Sequence, residues 1–358
     1  MSANLTNLAF CVLPFIEKFQ NLNGKKYLCC HSDIPIESTD LPKIQQDILN
    51  GTKIPECSKC YQLESNKVIS PRQRESARWL KDLEVKEYVE NWTADRTPKT
   101  FFYDVRYDSK CNLACIPCGP YASSLWAKEL GVDTTNHELD FSLDELAVAK
   151  KLYLAGGEPL IIDNFILLIN HIAELDQQPE LVINTNLTAV NDELKQSLSK
   201  IKNLTLTVSI DAYKSVNEYH RWPMRWDKLF NNLIWLRDNI QCNIQVNSVV
   251  DAVSILNIDQ LIAIEHLIDQ WNLSILTTPA SLLVQNLPEH LKKTTADNFS
   301  NIKKSKFYAT DPVFKTAVDH LLSVIFKPGQ SDLLSMFIAQ LDQRRNIDHK
   351  TYLGISLT

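Results

Sequence analysis

The sequence predicts an α/β protein: a partial (β/α)6, TIM-like barrel with a cysteine-rich module ahead of it and helices behind. Three observations predict it. From Phe101 onward, short apolar, β-branched runs alternate with longer segments of helical period, which implies a parallel sheet with right-handed crossovers. Eight of the nine cysteines lie in the first third of the chain, at 11, 29, 30, 57, 60, 111, 115 and 118, and only Cys242 lies beyond. After the last strand-like run, apolar stripes at helical spacing take over. The expected divisions are 1–95, 96–280 and 281–358.

Composition narrows the function classes. At 358 residues the chain exceeds one ordinary compact domain. A net charge of −6 lacks the basic face of a general nucleic-acid binder, so nucleic acid is not an expected partner. No apolar run approaches the roughly 20 residues that span a bilayer. The opening MSANLTNLAFCVLPFIEKF has neither a basic start nor an uninterrupted apolar core, so no secretory signal is expected. Clustered cysteines then read as metal ligands in a reducing, cytoplasmic compartment, not as a disulfide framework.

In chain order, Cys11 is followed by twelve residues, Gly24, four residues, then Cys29 with Cys30 adjacent. Cys57 and Cys60 form a Cys-x2-Cys knuckle whose thiols face one metal. Spacing alone leaves a fully ligated iron–sulfur cluster and a structural zinc site equally open. Ser70 to Glu90 reads as an amphipathic helix leading into the barrel; its Arg72, Arg74 and Arg78 suit a solvated face, with contact to an acidic substrate as the alternative. Asn91 to Lys99 reads as a linker.

The expected strands are Phe101–Tyr107, Lys151–Ala155, Glu180–Asn184, Leu204–Ile210, Cys242–Val249 and Leu273–Thr277. In such a fold ligands gather at the carboxyl ends of the strands. Directly after the first strand stand Cys111, Cys115 and Cys118. Three thiolates hold three corners of a cubane cluster and leave one iron for a small molecule, whereas a structural site closes its shell with four. After the second strand come Gly156, Gly157, Glu158 and Pro159, where glycines permit close backbone approach and a carboxylate suits an ammonium. The third strand ends in Asn184-Thr185-Asn186, the fourth in Ser209-Ile210-Asp211, and Arg221 follows in Asn217-Glu218-Tyr219-His220-Arg221. Asn184 and Ser209 serve equally well as helix caps, and Arg221 as a surface ion pair. Asn247 suits the barrel mouth or a backbone partner; Cys242 suits a small buried hydrophobe.

These motifs resemble the radical S-adenosylmethionine (SAM) superfamily, in particular the twitch/SPASM-like subgroup. CGPYASSLW from Cys118 to Trp126 adds to the likeness, while Pro117 stands where an aromatic residue is usual. The resemblance implies a [4Fe–4S] cluster on Cys111, Cys115 and Cys118 that binds SAM and yields a 5′-deoxyadenosyl radical. It implies a SAM site of Gly156, Gly157, Glu158, Asn184, Ser209 and Arg221. It further implies a second, auxiliary [4Fe–4S] cluster on Cys11, Cys29, Cys57 and Cys60, with Cys30 competing for the second position and Gly24 turning between two short strands. A flavodoxin- or ferredoxin-type electron donor and a peptide or small-molecule substrate follow from the same likeness. Peptide or protein side-chain modification is the expected activity; small amines, sugars or nucleotides are the alternative. A non-catalytic iron–sulfur electron carrier needs neither an open three-thiol site nor the GGEP turn.

Behind the barrel, Asp311-Pro312 reads as a helix start, with Val313, Phe314, Ala317, Val318, Leu321, Leu322 and Ile325 on one face. A second helix follows Gly329. Both are expected to close the open side or the bottom of the barrel.

Overall fold

The computed structural model describes residues 5–357 apart from 20, 135–141, 143, 144 and 147. One parallel sheet of seven strands runs in chain order: β1 Glu17–Phe19, β2 Phe102–Val105, β3 Lys151–Leu154, β4 Glu180–Thr185, β5 Leu204–Ser209, β6 Asn243–Val250 and β7 Gln270–Ile275. Parallel neighbours need crossovers. The helices Asp163–Ala173, Asp192–Ser199 and Trp226–Asn239 supply those from β3 to β6. Their apolar faces explain why: Phe165, Leu168, Ile169 and Ile172 on the first, and Leu229, Leu233 and Leu236 on the third, are wholly buried against the sheet. Each such side chain contributes about 1.5–3 kcal/mol on leaving water.

All six expected strands form, and β1 adds a seventh at the edge. Its register, Glu17 with Phe102, Lys18 with Tyr103 and Phe19 with Asp104, sets it parallel to β2. This corrects the expected hairpin about Gly24. Gly24 does turn the chain, at φ 75°, and the Asn21 amide or carbonyl closes the turn with Lys25 and Gly24 at 3.1 and 2.9 Å. But the strand before the turn pairs with the barrel. A second core, of Phe10, Val12, Phe15, Ile16, Ile48, Val85 and Val89, takes in Phe101 and Phe102 and so anchors β1 and the cysteine-rich segment to the start of β2.

The expected helix over Ser70 to Glu90 is two, Pro71–Trp79 and Leu83–Glu90. Asp82 breaks it by capping the second: its carboxylate accepts from the Glu84 and Val85 amides at 3.0 and 3.2 Å. Its basic run is a solvated face only in part, since Arg78 is exposed and Arg72 is not. Arg72 is buried and pairs with Glu64 at 2.6 Å, Arg78 pairs with Glu180 of β4, and Arg74 and Arg78 line the barrel interior.

Behind the barrel, Asp311 caps the helix Pro312–Val324. Phe314 on that helix packs against Trp271 of β7 with ring centroids 5.1 Å apart, covering the open edge of the sheet. The helix Ser331–Arg345 returns to the loop after β2, where Arg345 donates to the Ala114 carbonyl at 2.7 Å. Among the described residues no helix is long and apolar enough to cross a membrane.

Candidate active site

The site is built on the loop that leaves β2. Backbone bonds fix its course: the Ala114 and Ile116 amides donate to the carbonyls of Trp222 and His220 at 2.6 and 2.7 Å. Side chains hold its other face. Ser123 donates to the Leu113 carbonyl at 2.6 Å, and the Trp126 indole to that of Cys115 at 2.7 Å. Glycines lock it to the next strand. The Gly157 and Glu158 amides donate to Asp108 and Lys110 at 3.0 and 2.8 Å. Gly156 adopts φ +119°, and a Cβ there would stand 2.9 Å from the Asp108 carbonyl oxygen; at Gly157 it would overlap that of Lys110.

Cys111, Cys115, Cys118, Gly156, Gly157, Glu158, Asn184, Ser209 and Arg221 thereby line one pocket at the carboxyl ends of the strands. Pro117, Thr185, Asn186, Asn247 and Val249 line it too. Burial pushes the Cys111 thiol up to about 12 and raises those of Cys115 and Cys118 as well. Thiols in this state ionise when a cation meets them, so the donor set suits a metal group. Arg221 supplies one fixed positive charge, with Nη1 3.6 Å from the Cys115 sulfur.

Arg221 is nearly buried, not a surface ion pair. Its Nε lies 2.7 Å from the Asp211 carboxylate. Asp211 in turn lies 2.9 Å from His220 Nδ1, and His220 Nε2 lies 2.7 Å from Asp251. The Arg221 and His220 charges hold Asp211 well below the usual carboxylate range despite its burial. The two aspartates raise His220 to about 9 against the same burial. Both ring nitrogens face carboxylates: Nε2 hydrogen-bonds Asp251, and Nδ1 stands in ion-pair range of Asp211.

Glu158 is placed differently from a free ligand-binding carboxylate. It accepts from the Thr185 hydroxyl at 2.5 Å and from the Asn186 and Leu160 amides at 2.6 and 3.2 Å. Burial nonetheless lifts it to about 7. Asn184 and Ser209 do not cap helices; their side chains meet at 3.5 Å across β4 and β5. Sequence reasoning missed Asp251, and it noted Arg345 only within Leu341-Asp342-Gln343-Arg344-Arg345, a run that resembles the ending of twitch-type relatives, without a contact. Asp251, like Asp211, is an acid directly after an apolar strand, and that signal could have found it. The contact of Arg345 could not be read there, since its partners lie more than two hundred residues back.

The second cysteine set converges elsewhere. Cys11, Cys29, Cys57 and Cys60 line one pocket with Leu13, His31 and Arg72. Burial raises all four thiols, Cys57 to about 12. Cys30 is not among them: it lines the barrel lumen. Cys242, half-buried at the start of β6, lies away from both sites.

Residues 108–267 match the family model described as the Radical SAM superfamily. A GTP 3',8-cyclase of Syntrophomonas wolfei is 36% identical over 98 residues, covering 24% of this chain and 28% of that protein. Streptococcus suis SuiB is similar in structure at 16% identity and a TM-score of 0.42, over 76% of this chain and 64% of that one. The enzyme anSMEcpe with bound AdoMet has 16% identity and a TM-score of 0.41, over 57% of this chain and 56% of its own. The chain thus spans about a quarter of the curated relative and under two thirds of these structures. The similarity to the radical SAM superfamily lies in residues 108–267, the stretch that carries the pocket and its three cysteines.

Proposed function

We propose that Cys111, Cys115 and Cys118 hold a [4Fe–4S] cluster whose open iron takes SAM. Gly156, Gly157, Glu158, Asn184, Ser209 and Arg221 shape the SAM site. The observation that carries this is the single pocket that gathers all nine residues at the carboxyl ends of β2 to β5. When bound, cluster and SAM supply reductive cleavage of the sulfonium and hydrogen abstraction from the substrate. The chain's part is positional. The glycine pair sets the cysteine loop against β3, Glu158 fastens the end of β4, and Arg221 balances thiolate charge while Asp211 fixes its plane. Buried Leu113, Ala114 and Ile116 keep water from the back of the loop.

Cys11, Cys29, Cys57 and Cys60 hold an auxiliary cluster in this reading. Thiolates about 2.3 Å from one tetrahedral zinc stand within about 4 Å of one another. Among the described residues, the trio of ligand atoms gathered within 4.8 Å is Asp342, Asp348 and His349, and no cysteine set is drawn in so far. The wider spread favours the larger group.

The substrate in this reading is a peptide or protein side chain. A small polar molecule is the second reading, favoured by a lumen of about 420 Å³ that shares Asn247 with the SAM pocket, within the range of small-molecule sites. The test is anaerobic reconstitution followed by iron and 5′-deoxyadenosine analysis under dithionite. The wild type should hold about eight irons per chain and cleave SAM. Cys115→Ala should abolish cleavage, and Cys57→Ala should lose about half the iron. Zinc in place of iron, or cleavage by Cys115→Ala, would reject the assignment.

A further inference from the structure

The barrel lumen connects the two cysteine regions. It shares Leu13 and His31 with the N-terminal cysteine pocket and Asn247 with the SAM pocket. Most charged groups lining it are matched: Arg78 with Glu180, Arg74 with Glu75 at 4.0 Å, and Asp104 with Arg106 at 3.0 Å. Two are not. Both carboxylate oxygens of Glu17 are shut from solvent and lack a hydrogen-bond partner among the described residues. Lys151 is only 6% exposed. Its ammonium stands 4.9 Å over the Phe102 ring and has no hydrogen bond or ion pair among the described residues.

These two unpartnered groups, one acidic and one basic, share one row of the sheet. Glu17 pairs in register with Phe102, and Phe102 with Lys151. With strands about 4.8 Å apart, their Cα atoms stand about 10 Å apart, and the Phe102 ring lies between. A buried acid and a buried base without partners are costly to ionise alone, and a ligand carrying both complements lets the two ionise together.

We propose that the floor of the lumen, between Glu17 and Lys151, holds the zwitterionic head of an amino-acid-type substrate, its ammonium on Glu17 and its carboxylate on Lys151. This rests on the small-molecule reading above and names its substrate class. Lys151 to Gly156 is five residues of chain, about 16 Å if fully extended. The substrate is therefore elongated, with its reacting carbon on an arm that passes Tyr153, Thr207 and Gln245 toward Asn247. An internal residue of a peptide lacks such a head. Burial, then the nearby Asp104 and Glu75 carboxylates, raises the Glu17 carboxyl well above its usual range, so in the empty site it keeps a proton that an arriving ammonium displaces.

The test is calorimetry on the anaerobic, reconstituted protein with L-norleucine, pentylamine and hexanoate as head-group probes. Norleucine should bind at least tenfold more tightly than either single-charge analogue. Glu17→Gln, which keeps shape, should weaken norleucine tenfold or more and leave hexanoate unchanged; Lys151→Met should do so with pentylamine unchanged. Failure of norleucine to bind, binding of pentylamine as tight as norleucine, or indifference to both substitutions would overturn the proposal. Cooperative melting of each variant shows that it is folded. The radical reading fails separately: wild-type protein that binds norleucine but cannot cleave SAM rejects that reading and leaves this one standing.

Discussion

His220 is the residue on which the buried charges behind the cluster loop balance. It is wholly buried between Asp211 and Asp251 and carries a proton both carboxylates require. Folding raises its pKa from 6.5 to about 9. A raised value means stability fully present below the unfolded pKa and lost as pH climbs through the folded one. The wild-type denaturation midpoint should therefore fall between pH 7 and pH 10. His220→Gln should lower the midpoint at pH 7, by about 3 kcal/mol or more for a broken buried pair, and flatten its dependence on pH. An equally steep decline in the variant would assign the titration to other groups. Asp211 was visible in the sequence as an acid ending an apolar strand, but its partners were not. Asp251 lies forty residues on, and a network of this kind is closed only by the barrel's curvature.

Elements show why some of the fold was legible and some was not. Strands β2, β4, β5 and β6 announce themselves because each buries β-branched or aromatic residues, as Leu204–Ser209 does, whereas β7 buries only Trp271. β1 does not: Glu-Lys-Phe has no apolar run, and its strand character comes from pairing with β2, eighty residues away. The break at Asp82 was written locally, as an N-cap before an apolar-periodic run, and a single long helix obscured it. The GGEP turn was legible as a motif, but its reason is tertiary: the second glycine rests on the Lys110 carbonyl. Gly157→Ala should push the cysteine loop off β3, at a cost of about 1–3 kcal/mol for overpacking. SAM cleavage should fall, while iron bound by the N-terminal cysteines is retained. Normal cleavage by Gly157→Ala would show that the loop yields freely there.

At the scale of the whole molecule, the barrel separates two thiols that are adjacent in sequence. Cys29 faces the pocket of Cys11, Cys57 and Cys60, while Cys30 opens into the lumen beside Asp104. Sequence spacing could not divide them, because either thiol satisfies the count after Gly24. The division follows from β1. Once Glu17–Phe19 is fixed as an edge strand, the chain returns with Cys29 on the N-terminal cysteine pocket and Cys30 on the lumen wall. The consequence is measurable in metal content. Cys29→Ser should lose about four irons per chain, whereas Cys30→Ser should keep them all. Maleimide should label Cys30 in the folded, reconstituted protein, because the proposed ligand set leaves that sulfur free and the residue is exposed. Equal iron loss in the two variants, or protection of Cys30 from maleimide that vanishes only on removing the metal, would return Cys30 to the ligand set and place the lumen wall elsewhere.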